Sequence, residues 1–315
     1  MTSQIPTIIA IGEAMIEFSK RQHDCWAMGF AGDSLNVLWA MRALLERDSA
    51  DLKFFSRVGT DPQSESFVQF LSESDIGTEL LQRDSDRNMG LYTIATDADG
   101  ERSFSYWRSA SAARHLADDI DHLHTALASA QMTYVSGISL AILSEKACDD
   151  LIHALADIRP SGAKLAFDPN IRPALWSDMD RCRETVEKVA GLADIVLPTH
   201  DDEAKTFGDV DAAATIARYA ALGVPEIIVK DGIRPTHFRA QGAAGSIEVA
   251  NPQRAIDTTG AGDGFNGGYL AARFMGHAVP DSIALAQAVS GRVVMTKGAL
   301  VPMQDLKDLA NRQGQ

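Results

Sequence analysis

The chain has 315 residues, with 29 Lys and Arg against 43 Asp and Glu, a net charge of −14. At 45% hydrophobic and 23% charged residues it holds enough apolar area to offset chain entropy, which excludes a disordered protein. The acidic balance excludes a nucleic-acid wrapper or a protein docked on an anionic membrane, since both need Lys and Arg. A small anionic ligand stays compatible, because a pocket can be locally positive.

Cys25, Cys148 and Cys182 are scattered, which fits a reducing compartment, and no CxxC or Cys/His cluster suggests zinc. No Lys or Arg precedes Lys20 and the first apolar run is short, so no signal peptide is expected. The uncharged stretch 125–144 contains Thr, Gln, Tyr, Gly and Ser, too polar for a spanning helix. The expected location is the cytoplasm.

In chain order, residues 7–11 (TIIAI) predict a buried strand, followed by a segment at 13–30 that carries Phe18, Trp26 and Phe30. A helix is expected over 34–45, a strand over 53–57 and a helix over 62–74. Residues 89–108 hold Tyr92, Phe104, Tyr106 and Trp107, with Asp97-Ala-Asp-Gly100 as a turn signal, and predict a hairpin. Strands at 132–136, 164–168, 194–197 and 226–230 then alternate with helices at 144–158, 181–191 and 211–222. Buried strands spaced by helices predict an α/β fold, a parallel sheet covered on both faces. The segments 13–30 and 89–108 read either as edge strands of that sheet or as a small inserted sheet, a lid over a site. About 150 residues per domain suggests two domains, but one main unit over 1–315 with a lid fits the pattern better. Trp107 alternates away from Tyr106 and is expected to pack inside the lid.

The stretch Asp257-Thr-Thr-Gly-Ala-Gly-Asp-Gly-Phe-Asn-Gly267 runs into an apolar helix at about 262–275. Glycines opening a helix leave N–H groups uncovered, and with the helix dipole they make an anion site. Asp263 sits beside that site as a candidate base; the dipole is expected to keep it ionised and to lower its basicity. Gly262-x-Gly264-x-x-Gly267 also satisfies a dinucleotide spacing. It follows Asp-Thr-Thr rather than a strand, and the acid at the right distance, Asp281, sits where a helix starts. No Gly-Lys pair exists, so phosphate would be held without a Walker A loop.

Residues 257–265 resemble the C-terminal signature D-T-T-G-A-G-D-x-F of the carbohydrate kinases related to ribokinase, the PfkB family. Ala31-Gly-Asp-Ser-Leu-Asn36 resembles the shorter N-terminal signature of the same family, and the order and spacing of the two also match. The resemblance covers nearly the whole chain. It implies a ribokinase-like three-layer sandwich with a β-lid, ATP as phosphoryl donor and Mg²⁺ as divalent cation.

By the same resemblance, Asp263 takes the proton of the attacking hydroxyl, and Gly260, Ala261 and Gly262 offer N–H groups to the γ-phosphate. Asp257 matches a position linked in relatives to a monovalent cation, and equally reads as a turn aspartate. The family's N-x-x-E metal motif is altered to Leu197-Pro-Thr-His-Asp-Asp-Glu203, which leaves Asp202 or Glu203 for the metal. His200 reads as a surface or adenine-side residue, and Lys230-Asp-Gly232 resembles the V-K-x-G turn beside the nucleotide. Gly32, Asp33, Ser34 and Asn36 would meet substrate hydroxyls.

Tyr106-Trp-Arg108 and Asp168-Pro-Asn-Ile-Arg172 are similar to the branch of the family that acts on 2-dehydro-3-deoxygluconate. A sugar acid calls for a fixed, forked cation, which Arg108 and Arg172 supply, although either could serve ATP phosphates instead. Asn170 would lie near nucleotide and substrate, and Tyr92 and Tyr106 would cover the sugar. A kinase for a neutral sugar such as fructose, or a sugar-binding regulator on a kinase fold, are the alternatives. Lids of the family often pair between subunits, which makes a homo-oligomer an expectation by analogy.

Overall fold

The computed structural model describes residues 5–20, 25–96, 102–250, 252 and 254–313. In chain order the strands are β1 (Thr7–Ile11), β2 (Met15–Lys20), β3 (Trp26–Ala31), β4 (Asp51–Val58), β5 (Leu81–Arg83), β6 (Gly90–Thr96) and β7 (Arg102–Trp107). They continue with β8 (Met132–Ser136), β9 (Lys164–Asp168), β10 (Ile195–Val196), β11 (Glu226–Val229), β12 (Thr236–Ala240) and β13 (Ala243–Ile247).

Nine strands form the main sheet in the order β13-β12-β11-β10-β9-β8-β1-β4-β5, parallel except at β12 and β13. The apolar run of β1 is explained by its two buried faces. Ile8 and Ala10 join the core under helices Asp33–Leu44, Ala261–Phe274 and Val279–Val294. Ile9 and Ile11 point the other way, into the core under helices Ile120–Ala128, Glu145–Asp157 and Met179–Leu192. The helix starts follow local chemistry. Asp61 accepts from the amides of Gln63 and Ser64 ahead of helix Pro62–Glu73, and Ser144 caps helix Glu145–Asp157.

The segments left open between edge strands and an inserted sheet form a separate four-stranded sheet, β3-β2-β6-β7. The turn signal at residues 97–100 lies outside the described residues. All four crossings between the two sheets fall at one place, between β1 and β2, between β3 and helix Asp33–Leu44, before β6 and after β7. One face of the small sheet packs Met15, Ala31, Tyr92 and Ile94 against Ala299. On the other, Phe30 packs at tilted ring angles against Phe67 and Phe70.

The structure adds elements that periodicity did not reveal. The β12–β13 hairpin turns on Gln241 and Gly242, both at positive φ (53° and 80°), the geometry a two-residue hairpin requires. Helices Ile120–Ala128 and Met303–Gln313 and the short strand β5 are further elements beyond those expected. The glycine spacing that mimics a dinucleotide fingerprint has a packing cause. A Cβ at Gly267 would lie 2.6 Å from Ala40 Cβ and the Val37 carbonyl, and one at Gly268 3.0 Å from Ala286. These glycines let helix Ala261–Phe274 press against its two neighbours. Among the described residues no helix is long and apolar enough to cross a membrane.

Candidate functional site

The site forms where the parallel strands end, the place at which open α/β sheets bind ligands. From the C-terminal ends of β8, β9 and β11 come Ser136, Asp168 and Lys230; helix Asp33–Leu44 adds Asp33 and Asn36, and helix Ala261–Phe274 adds Asp263.

Asp263 is the third residue of its helix and accepts a hydrogen bond from the side-chain amide of Asn36 at 2.8 Å. Burial pushes its pKa up to about 7; the like charge of Asp33 adds to this, and the Asn36 bond opposes it. The expectation of lowered basicity is therefore corrected. The dipole is present, but desolvation and neighbouring carboxylates outweigh it. At that value the group changes protonation near neutrality, which suits a general base.

Behind Asp263 lies a closed polar network. Lys230 Nζ pairs with Asp168 at 2.7 Å and donates to Asn266 Oδ1 at 2.9 Å. Asn266 donates to Asp168 at 2.6 Å and to the Tyr134 hydroxyl at 3.2 Å. Lys230 is thus buried and paired rather than a free cation beside a nucleotide. Asp33 accepts from the Ser136 hydroxyl, from the Ser34 amide at 2.8 Å and from Asn170 at 3.3 Å. Burial again raises its pKa. Asn170 holds a positive φ of 37°, and its amide donates to Asp168, a backbone shape that Asn tolerates better than most residues.

Gly260 caps the helix at φ 74°, where a Cβ would lie 2.9 Å from Ala299 Cβ. The amide of Gly264 makes the first helical bond, to Gly260 O at 2.7 Å. The Ala261 amide is taken by Thr258 O at 3.2 Å, so of the three expected anion donors this one is already engaged. The amides of Gly262 and Asp263 have no partner among the described residues, as helix geometry requires of a first turn.

A cavity of about 350 Å³ leads away from Gly262 between the turn after β11, the start of β12 and helices Ala261–Phe274 and Val279–Val294. Phe265, Val249, Ala255 and Val294 make it largely apolar, with Lys230, Asp231 and Gly232 along one side. A flat heteroaromatic base fits such a slot, with its phosphates reaching the Gly262 end. His200 lies one step off, lining a neighbouring cavity with Asp231, Arg234 and His237.

Several expected residues are placed differently. Glu203 is completely buried and bound to Arg218 at 2.5 Å and to the Tyr219 hydroxyl at 3.0 Å. Burial lifts its pKa to about 7. Its Oε2 braces two helices through these bonds, while Oε1 is buried without a hydrogen-bond partner among the described residues. Asp202 is partly exposed and pairs with Arg172 at 3.2 Å. Among the described residues no cluster of three or more His, Cys, Asp or Glu gathers around a single point. Ser34 is buried, with its hydroxyl on Ile11 O at 2.9 Å, and offers nothing to a ligand. Asp257 accepts from the Thr259 amide at 3.0 Å and the Gly298 amide at 2.6 Å, a latch on the loop that abuts Gly260.

On the small sheet, Tyr92 is buried and its hydroxyl donates to Glu17; burial and that carboxylate raise its pKa. Tyr106, opposite it on the same face, is 54% exposed. Arg108 forms an ion pair with Glu13, whose side chain is 1% exposed. Trp107 is 60% exposed, so it does not pack within this chain as expected. Sequence reasoning assigned no role to Asp168, Asn266, Ser136 or Glu13. Asp168 and Asn266 stood inside quoted motifs; Glu13 carried no signal beyond an acid in an apolar neighbourhood.

The description pfkB family carbohydrate kinase matches residues 6–306. A 2-dehydro-3-deoxygluconokinase of Dickeya dadantii (strain 3937) is 34% identical over 303 residues, 94% of this chain and 97% of that protein. One of the same name from Escherichia coli (strain K12) is 33% identical over 302 residues, 94% and 97% of the two chains. A fructokinase of Klebsiella pneumoniae is more distant, 29% over 272 residues, 84% and 86% of the two. The fold matches a putative ribokinase II from E. coli in complex with ATP and Mg²⁺, with a TM-score of 0.82 at 20% identity over 98% of this chain and 99% of that one.

Proposed function

The chain belongs to the pfkB family of carbohydrate kinases, and we propose that it transfers the γ-phosphoryl group of ATP to the terminal hydroxyl of 2-dehydro-3-deoxygluconate. The product is the 6-phosphate. The observation that carries the substrate is the 34% likeness, over nearly full length, to a kinase named for that sugar acid. The observation that supports the chemistry is Asp263, with a pKa of about 7, beside two uncovered amides at a helix start.

In this reading the adenine lies in the apolar slot and the γ-phosphoryl group meets the amides of Gly262 and Asp263. Asp263 accepts the proton of the 6-hydroxyl as the O6–P bond forms and the bond from phosphorus to the β,γ-bridging oxygen breaks. The proton then leaves to solvent and ADP carries away the bridging oxygen. Asn36 holds the carboxylate in line, and Asp33 and Asn170 offer partners to sugar hydroxyls. Mg²⁺ bound with the nucleotide offsets phosphate charge; Asp202 is the residue suited to its water shell and Arg172 to a phosphate or substrate oxygen. Asp257 satisfies its carboxylate with the amides of Thr259 and Gly298, and a monovalent cation would share that loop.

We read the chain as one kinase domain in which the small sheet is a lid, with Tyr106 facing the sugar and Arg108 its carboxylate. The alternative is a neutral sugar such as fructose, supported by the 29% identity to a fructokinase of Klebsiella pneumoniae. Turnover on 2-dehydro-3-deoxygluconate and on fructose, measured side by side, decides between them. A preference for fructose above about tenfold, or ~1.4 kcal/mol, overturns the sugar-acid reading. The three free thiols support a cytoplasmic location. Trp26, Met28 and Trp107, exposed on one face of the lid, support pairing of two copies through that face.

A further inference from the structure

Glu13 stands where the lid joins the body. It follows β1 and precedes β2, the first crossing between the two sheets. Gly32, at the second crossing, lies so close that a Cβ there would sit 2.2 Å from the Glu13 carbonyl oxygen. At the third, a Cβ on Gly90 would come 2.7 Å from Glu13 Oε1 and 3.2 Å from Arg108 Cβ. Arg108 itself is the fourth, the residue after β7. Gly32 thus makes room for the Glu13 backbone and Gly90 for its carboxylate, and the guanidinium of Arg108 pairs with that carboxylate.

A buried ion pair is a poor way to stabilise a fold, because desolvation consumes most of the attraction and apolar residues of similar volume do as well. Its use here is geometric. The Arg108 side chain is only 13% exposed, so the ion pair with Glu13 leaves its planar fork few other orientations. Asp33, at the hydroxyl-binding end of the site, also feels the charge of Arg108. Without Glu13 the guanidinium would be drawn towards Asp33 and away from any carboxylate brought by a substrate.

We propose that Glu13 is a positioning residue whose buried carboxylate holds the Arg108 guanidinium at the root of the lid and so fixes where the enzyme reads the acid group of its substrate. This rests on the reading that Arg108 meets the substrate carboxylate. Binding of a sugar acid places a second carboxylate on the same guanidinium, and its fork geometry allows two acceptors at once. A neutral sugar gains nothing from that placement.

The test is steady-state kinetics with three substrates: 2-dehydro-3-deoxygluconate, ATP, and 3-deoxyfructose, in which a hydroxymethyl group replaces the carboxylate. Glu13→Gln should raise KM for the acid by about tenfold or more, while kcat falls less than about threefold. KM for ATP and for 3-deoxyfructose should stay within about twofold. In the Glu13→Gln/Arg108→Ala double variant, KM for the acid should match that of Arg108→Ala alone, as coupled residues require. Glu13→Asp keeps the charge and shortens the arm by one methylene. It should show the same acid-selective rise in smaller size, and it serves if Glu13→Gln fails to fold by circular dichroism. Equal rises for all three substrates, an unchanged acid KM in both Glu13 variants, or additive losses in the double variant overturn the inference. If Arg108→Ala leaves the acid KM unchanged, the assignment of the carboxylate to Arg108 falls first, and the inference with it.

Discussion

The side-chain amide of Asn36 donates to the carboxylate of Asp263 across 2.8 Å, joining two helices whose residues lie 227 apart in the chain. The two motifs recognised separately in the sequence are one device in space. Asn36 is buried, anchored in turn by the Gly32 amide, which donates to its Oδ1 at 3.3 Å. It fixes the direction of the carboxylate lone pairs and favours the ionised form. Asn36→Ala should therefore raise the pKa of Asp263 further and move the acid limb of kcat/KM to higher pH. An unmoved limb with reduced kcat would mean that Asn36 serves the sugar and not the base.

Asp263→Asn should lower kcat by about a thousandfold, within the usual range for loss of a general base. The amides of Gly262 and Asp263 belong to the backbone and survive the change, so ATP affinity by calorimetry should stay within about threefold. Near-normal turnover would remove Asp263 from the mechanism.

Activity and stability should respond to pH in opposite senses. The base must be ionised, so kcat/KM should rise through about pH 7, the value to which burial lifts Asp263. Its folded-state pKa lies above that of the unfolded chain, so protonation favours the folded form. That contribution is full at low pH, below the unfolded value, and fades as pH rises through about 7. Glu203 shares this direction and this window. Asp263→Asn removes the penalty of the buried charge and should raise Tm more at about pH 8 than at about pH 5. A larger gain at the lower pH would mean the carboxylate is stabilised, not strained, by its surroundings.

Glu203 supplies a control on the metal assignment. It is bound to Arg218, which also holds Asp209 at 2.8 Å and lies over the Phe207 ring. Arg218→Ala leaves a buried carboxylate without its cation and should cost about 3 kcal/mol of stability. Glu203→Gln removes that carboxylate's charge, so the Mg²⁺ dependence of turnover should be unchanged, whereas Asp202→Asn should raise the Mg²⁺ requirement. A Glu203→Gln enzyme that needs far more Mg²⁺ would return this residue to the metal.

The main sheet was legible because its strands are buried on both sides: a run such as TIIAI has no other stable place in a soluble α/β chain. The helix starts were legible from Asp, Ser and Pro. The β12–β13 hairpin was not, because its turn residues, Gln241 and Gly242, imitate a loop, and the alternation in Ala243–Ile247 is faint. The motifs located Asp263 and Asn36 but not their electrostatics. Whether a helix-start carboxylate is a strong or weak base depends on how far Asp33, Asp168 and Lys230 close over it, and these come from three separate strand ends or helices. The same holds for Arg108 and Glu13, separated by most of the lid. A sequence shows a charged residue readily and its counter-ion only when the two are neighbours in the chain.

Trp107 offers the last test. Its partner on β6 is Leu91, which aligns with Ile16 on β2 and through it with Phe30 on β3, so all four lie on one face of the lid. Trp26 and Met28 extend that face, 46% and 48% exposed. An indole carries roughly 150–250 Å² of surface, and covering the exposed part of Trp107 is worth about 3 kcal/mol before the costs of association. Two copies meeting through this face would bury both sets. Sedimentation should then report a dimer at micromolar concentration, and Trp107→Asp should convert it to a monomer. Because Arg108 follows Trp107 directly, loosening β7 should also raise KM for the sugar acid in the monomeric variant. A wild-type monomer, or a Trp107→Asp protein that stays dimeric with unchanged KM, would assign these aromatics to another contact.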